Sequence, residues 1–173
     1  MTLRTACIAL SIFLAGCATY SSSVPEGYAG PTADLMDSYK VHSSAKADFF
    51  VAEKVNGAEV SNGLIATLRA NRGRGMQMTP ASTLRPLAAE QPVKVSVKAR
   101  THHAAPILAI VRAAYEVVGV VEFVPKTDAK YVVRGELGDE YSAVWIEDEK
   151  TGQVMGSKIE KTDGSARLNF FQK

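Results

Sequence analysis

The sequence is poor in the features that would announce a chemistry. Cysteine occurs only twice, at Cys7 and Cys17, histidine three times and tryptophan once. Two cysteines are too few for a disulfide-framed scaffold or a multi-thiolate metal centre. The charges nearly cancel, with 20 basic and 18 acidic side chains and a formal net charge of +2. Such a balance carries no electrostatic footprint for nucleic acid. No apolar run approaches the ~20 residues needed to cross a bilayer, which excludes a polytopic helical membrane protein. G-x-S-x-G and H-E-x-x-H are both missing, so no nucleophile elbow or zincin helix is present. What remains is a chain of 173 residues, 46% hydrophobic and 22% charged, in the proportions of one ordinary globular domain.

The N-terminus reads as an address. Residues 1–16 combine Arg4, an apolar stretch from Ala6 to Leu14 and the small residues Ala15 and Gly16, the pattern of a secretory signal peptide. Leu14-Ala15-Gly16-Cys17 resembles the lipobox of bacterial lipoproteins. The resemblance implies a diacylglyceryl thioether on Cys17, cleavage before it and acylation of the new amine. Only a thiol side chain gives that thioether. Ala18, where inner-membrane lipoproteins usually carry Asp, implies sorting to the outer membrane. One acyl chain holds marginally and two or three hold stably, at ~0.8 kcal/mol per buried CH₂.

Residues 17–30, rich in Ser, Gly and Pro, read as a flexible tether. Residues 31–173 then form a single domain with mostly strand signals. Thr32–Lys40 alternates weakly, with Ala33, Leu35, Asp37 and Tyr39 on one face. Lys46–Val55 runs into Asn56-Gly57, the signature of a type I′ hairpin. Pro92–Arg100 is the clearest strand, with Val93, Val95 and Val97 on one face and Lys94, Ser96 and Lys98 on the other. Tyr115–Val124 is apolar on both faces apart from its glutamates and reads as a central strand. Lys130–Leu137 follows, and Tyr141–Glu149 and Gln153–Ile159 flank a second hairpin turn at Thr151-Gly152. Pro80 and Pro86 confine Gly75–Leu87 to an edge or a loop.

Two stretches depart from the strand period. Asn62–Arg72 reads as a short helix, with Ser61 or Asn62 as cap and Gly73 near its end. Ala104–Ala114 reads equally as helix, with Pro106 at its first position, or as strand. Exposed, that stretch would form an apolar patch that marks a partner site. Short strands punctuated every 8–12 residues predict a mainly β chain, an antiparallel β-sandwich of the Ig/transthyretin-like kind with one or two short helices. Val121, Phe123, Val133 and Trp145 are expected in its core. Leu168–Phe171 is expected to complete a sheet or to pair with a partner.

The Val55-Asn56-Gly57 hairpin, the Val93–Thr101 strand and Val117-x-Gly119-x-Val121-x-Phe123 leading to Tyr131-Val132-Val133-Arg134-Gly135 resemble small periplasmic lipoproteins with PEGA-like β-sandwich domains. The resemblance spans Lys46 to Gly156. It implies fold and location and no mechanism.

Candidate chemistry is sparse. His102-His103 would face opposite sides of a strand, so a shared zinc is disfavoured and a solvated strand-end pair is expected. Glu147-Asp148-Glu149, with Asp139-Glu140, is continuous and lacks the alternating carboxylates of a calcium loop. Arg69, Arg72 and Arg74 cluster at the end of the first helix. They read either as cations favourably placed at a helix C-terminus or as an anion-binding group. The expectation is an outer-membrane-anchored periplasmic lipoprotein with a binding or structural role in the cell envelope and no enzymatic activity. It has no metal and no cofactor, and Cys17 carries the membrane anchor. Its partner is an envelope protein or polymer, not nucleic acid. The alternatives are a module for an anionic polymer using Arg69, Arg72 and Arg74, and a hydrolase or metal protein using His102 or His103.

Overall fold

The valine alternation in the middle of the chain runs through the centre of the structure. The computed structural model describes residues 20–169; the expected signal peptide, Cys17 and Phe170–Phe171 of the tail lie outside them. In chain order the elements are β1 (Thr32–Met36), β2 (Ser38–Ser43), β3 (Lys46–Val55), β4 (Ala58–Glu59), α1 (Gly63–Ala70), β5 (Leu84–Ala88), β6 (Val93–His103), α2 (Pro106–Val111), β7 (Glu116–Phe123), β8 (Lys130–Glu136), β9 (Tyr141–Asp148) and β10 (Val154–Thr162). One sheet has the order β10-β9-β8-β1-β5, and the other β2-β3-β6-β7 with β4 paired to β3. The two sheets form a mainly β, sandwich-like domain. Its pairings are antiparallel except for β1 and β8, which run parallel.

Along β6, Val93, Val95, Val97 and Ala99 point inward and are buried, while Lys94 points out. They meet Leu35, Leu87, Tyr131, Val133, Val144 and Ile146 of the opposite sheet in one core. Val121, Phe123 and Val133 are buried there as expected. β3 is buried on both faces. Phe50 and Ala52 enter the main core, whereas Ala47, Phe49 and Val51 form a second cluster with Met78, against which Leu64 of α1 packs. α1 therefore covers the outer face of the sheet built around β3 and β6.

The turns follow their residue chemistry. Asn56 and Gly57 take φ of 49° and 85°, as a type I′ turn requires. Asn62 caps α1, its side-chain oxygen accepting from the Ile65 amide at 3.1 Å. Gly156, at φ 61°, sits where the β9–β10 register shifts. A Cβ there would lie 2.5 Å from the Glu122 carbonyl oxygen. β10 thus presses on β7 and closes that side of the sandwich.

Several expectations need correction. β7 is the end strand of its sheet, not a central one: its outer face carries exposed Val118 and Val120. Ile159 of β10 abuts Gly119 on the inner side of β7, while the outer valines stay exposed. Trp145 is half-buried on the outer surface, because Val144 and Ile146 of the same strand take the inward phase. Its indole N–H donates to Glu147 at 2.9 Å, and the Lys158 ammonium lies 4.4 Å from the ring centroid. Thr32–Lys40 is two strands, with the chain passing from one sheet to the other at Asp37. Residues 20–30 lie along the domain: the Ser21 amide donates to the Glu59 carbonyl at 2.8 Å and the Ser23 hydroxyl to that of Pro86 at 2.6 Å. The described part of the tail pairs within the fold. Tyr115 and Arg167 form an antiparallel bridge, and the Leu168 amide donates to the Ala114 carbonyl.

Candidate functional site

The two helices converge over the C-terminal end of β6. Beyond His103 the chain turns at Pro106, which sits at the start of α2 where its missing N–H is no loss. The ambiguous Ala104–Ala114 stretch is therefore a short helix. Between α2 and α1 lies a cleft of about 390 Å³, bounded by Leu68, His102, Ala104, Pro106, Ala109 and Ala114. That volume is within the range of ligand sites, ~300–1,000 Å³. A smaller cleft of about 190 Å³ shares Leu68, His102 and Ala104 and adds Asn71, Arg72 and Gln77. No Asp or Glu lines either cleft.

α2 buries none of its residues. Ile107 is 60%, Ile110 45% and Val111 71% exposed, and Leu68 across the cleft is 46% exposed. Scattered apolar residues on a surface are ordinary. Three on one helix of six residues form a patch, on the side of α2 away from Pro106 and Ala109, which line the cleft opposite Leu68. Hydrophobic burial therefore does not hold this helix down; the chain connection and the underlying β6 do.

The histidines are not solvated. His103 is 4% exposed, its Nε2–H facing the Ala113 carbonyl at 3.2 Å. His102 is half-buried, edge-on to Phe49 at 6.5 Å. Burial pushes the His102 imidazole below its ordinary pKa, and Arg100 and His103 push it the same way, so it is neutral at pH 7. Their side chains alternate across the strand as expected. His103 is the buried one of the two, while His102 borders the cleft.

The three arginines are exposed at the end of α1 and in the turn after it. Arg69 places its guanidinium 5.2 Å from the centroid of the Tyr20 ring, Arg72 lines the smaller cleft, and Arg74 lies in the following turn. Among the described residues none of the three has a carboxylate within ion-pair distance. Arg69 and Arg72 thus point to different neighbours, and Arg72 is the one beside the groove.

Two polar constellations had no sequence signal. Asp37, 1% exposed, receives both forks of Arg85 at 2.8 and 2.6 Å and accepts from the amides of Ala52 and Gly63. Asp48, 2% exposed, accepts from the Thr101 hydroxyl at 2.7 Å and lies 2.6 Å from His42 Nε2. The Thr101 proton is directed at the carboxylate rather than at an imidazole, which is the wrong order for a nucleophile activated by a base. Both pin elements together. Glu147 and Asp148 likewise serve local structure: Glu147 pairs with Arg134, and Asp148 caps the amides of Lys150 and Thr151 in the hairpin turn. Those bonds, that of Thr151 first, hold the Asp148 carboxyl below the usual range.

No protein-family model matches the chain, and no curated protein or solved structure matches it significantly.

Proposed function

We propose that this protein is an outer-membrane-anchored periplasmic lipoprotein that acts by binding, not by catalysis, and that the face built by α1 and α2 is its contact surface. The lipobox residues support the anchor. One structural observation carries the binding surface: α2 displays Ile107, Ile110 and Val111 and has no fully buried residue, beside the larger cleft, which shares Leu68, His102 and Ala104 with a smaller one bordered by Arg72. Side chains that contribute little to folding and much apolar surface fit a contact with something outside the domain.

Two measurements test the reading. Cys17→Ser should abolish incorporation of labelled palmitate and remove the protein from the outer-membrane fraction, since the acyl chains are the stable anchor. Unchanged labelling would end the lipoprotein assignment. The double substitution Ile107→Ser with Val111→Ser should leave the unfolding free energy within about 0.5 kcal/mol of the parent, as exposed positions do, a shift of the thermal midpoint of no more than about 2 °C. A marked drop would show that these side chains serve the fold, and would remove the reason for treating the face as a contact surface.

A further inference from the structure

We infer that the α1–α2 face lies on an anionic phospholipid bilayer, the one holding the acyl chains of Cys17; this rests on the lipoprotein reading above. The position of Tyr20, close to Cys17 in the sequence, supports this. Tyr20 stacks on Arg69 in the last turn of α1, and the following residues are bonded along the domain at Ser21 and Ser23. Two residues, Ala18 and Thr19, separate Tyr20 from Cys17, and the three chain steps span at most ~11 Å. A long flexible tether would hold the domain off the membrane. Here Tyr20, close after Cys17 in the sequence, is already held against Arg69 in the last turn of α1.

That end of the molecule has the composition of an interfacial surface. Leu68 and Met76 are exposed there, and Ile107, Ile110 and Val111 are exposed on the neighbouring α2. Arg69, Arg72 and Arg74 are interspersed with them. Apolar side chains that enter the headgroup boundary, flanked by cations that meet phosphate, are what such binding needs. The carboxylates closest to Tyr20 are already engaged, Glu59 with Lys54 and Glu53 with Lys98. The opposite outer surface, around Trp145, has a different character, with Arg134 paired to Glu147 and Lys158 to Glu160.

The test uses the full chain, purified from membranes and reconstituted into vesicles containing brominated lipid. One set is phosphatidylcholine alone and the other includes phosphatidylglycerol. Mass spectrometry first establishes acylation. A Val111→Trp variant in a Trp145→Phe background reports the face, and the parent Trp145 reports the opposite surface. The expected result is quenching of the new indole in the anionic vesicles, little quenching of Trp145, and release by high salt. Arg72→Gln should lower the docked-to-undocked ratio about fivefold, the worth of one cation near such a surface. An acylated, vesicle-bound protein whose new indole stays unquenched overturns the docking and leaves the anchor standing. A chain without acyl groups overturns both. Quenching that is absent in vesicles while the indole shifts blue with rising protein concentration assigns the face to a second copy. A shift produced only by a soluble anionic polysaccharide assigns it to an envelope polymer. Either of these overturns the bilayer.

Discussion

Asp37→Ala should destabilise the domain by about 3–5 kcal/mol, the scale for removing one partner of a buried ion pair. Asp37 and Arg85 are 1% and 5% exposed, with a bidentate contact at 2.8 and 2.6 Å. Truncating the carboxylate strands a buried guanidinium. It also leaves the Ala52 and Gly63 amides without the acceptor each now uses, and a buried amide without a partner is itself costly. For a domain of this size the change corresponds to roughly 10 °C in Tm. Thermal and urea unfolding followed by circular dichroism would measure it. The companion variant Asp37→Leu with Arg85→Met removes both charges and should recover most of the loss, because apolar replacement of a buried pair is often neutral. A loss below 1 kcal/mol for Asp37→Ala would mean that water reaches the pair.

The position of this pair explains why it matters. Asp37 is the residue at which the chain leaves one sheet and enters the other, and its carboxylate ties together β3, the first amide of α1 and β5. Arg85 also donates to the Ser61 carbonyl at 3.2 Å. The same knot therefore orients α1, and with it Leu68, Arg69 and Arg72. A stable scaffold and a correctly placed contact face have a common origin here.

The sequence was legible where local chemistry decides the outcome. Asn56-Gly57 needs positive φ and makes the hairpin it signals. Asn62 caps α1 within one residue of the expected start, and Val93, Val95 and Val97 define the strand at the centre of the core. It was illegible where the decision is made at a distance. Nothing local relates Asp37 to Arg85, 48 residues away, or lays β1 parallel to β8. Trp145 misled because both phases of its strand are apolar. Tyr115–Val124 misled because its apolar outer residues suggested a strand between two others, when β10 only leans on it. His103 is buried against the chain that returns at Ala113, and the helical character of α2 was obscured by the alternation of Ile107, Ala109 and Val111. Of the contact face, the arginines and the apolar stretch were visible in the sequence. The clefts that bring α1 and α2 together over β6 required the fold.

Tyr131→Ala should also rank among the most damaging single changes, at about 3–5 kcal/mol, the range for truncating a large buried aromatic. Tyr131 is 1% exposed and sits in β8, next to the strand that crosses between the sheets. Its ring meets Phe123 edge to face at 5.0 Å and 71°, a favoured aromatic geometry. Phe123 belongs to β7, so this contact joins the two sheets directly. The hydroxyl has a separate role, accepting from the Lys126 amide at 3.0 Å and fixing the loop between β7 and β8. Tyr131→Phe keeps the ring and removes that acceptor, and should cost only about 1 kcal/mol. The two variants, measured by urea unfolding, separate inter-sheet packing from loop anchoring. If Tyr131→Phe proved as damaging as Tyr131→Ala, the loop bond would be the main contribution, and the aromatic contact between the sheets would be secondary.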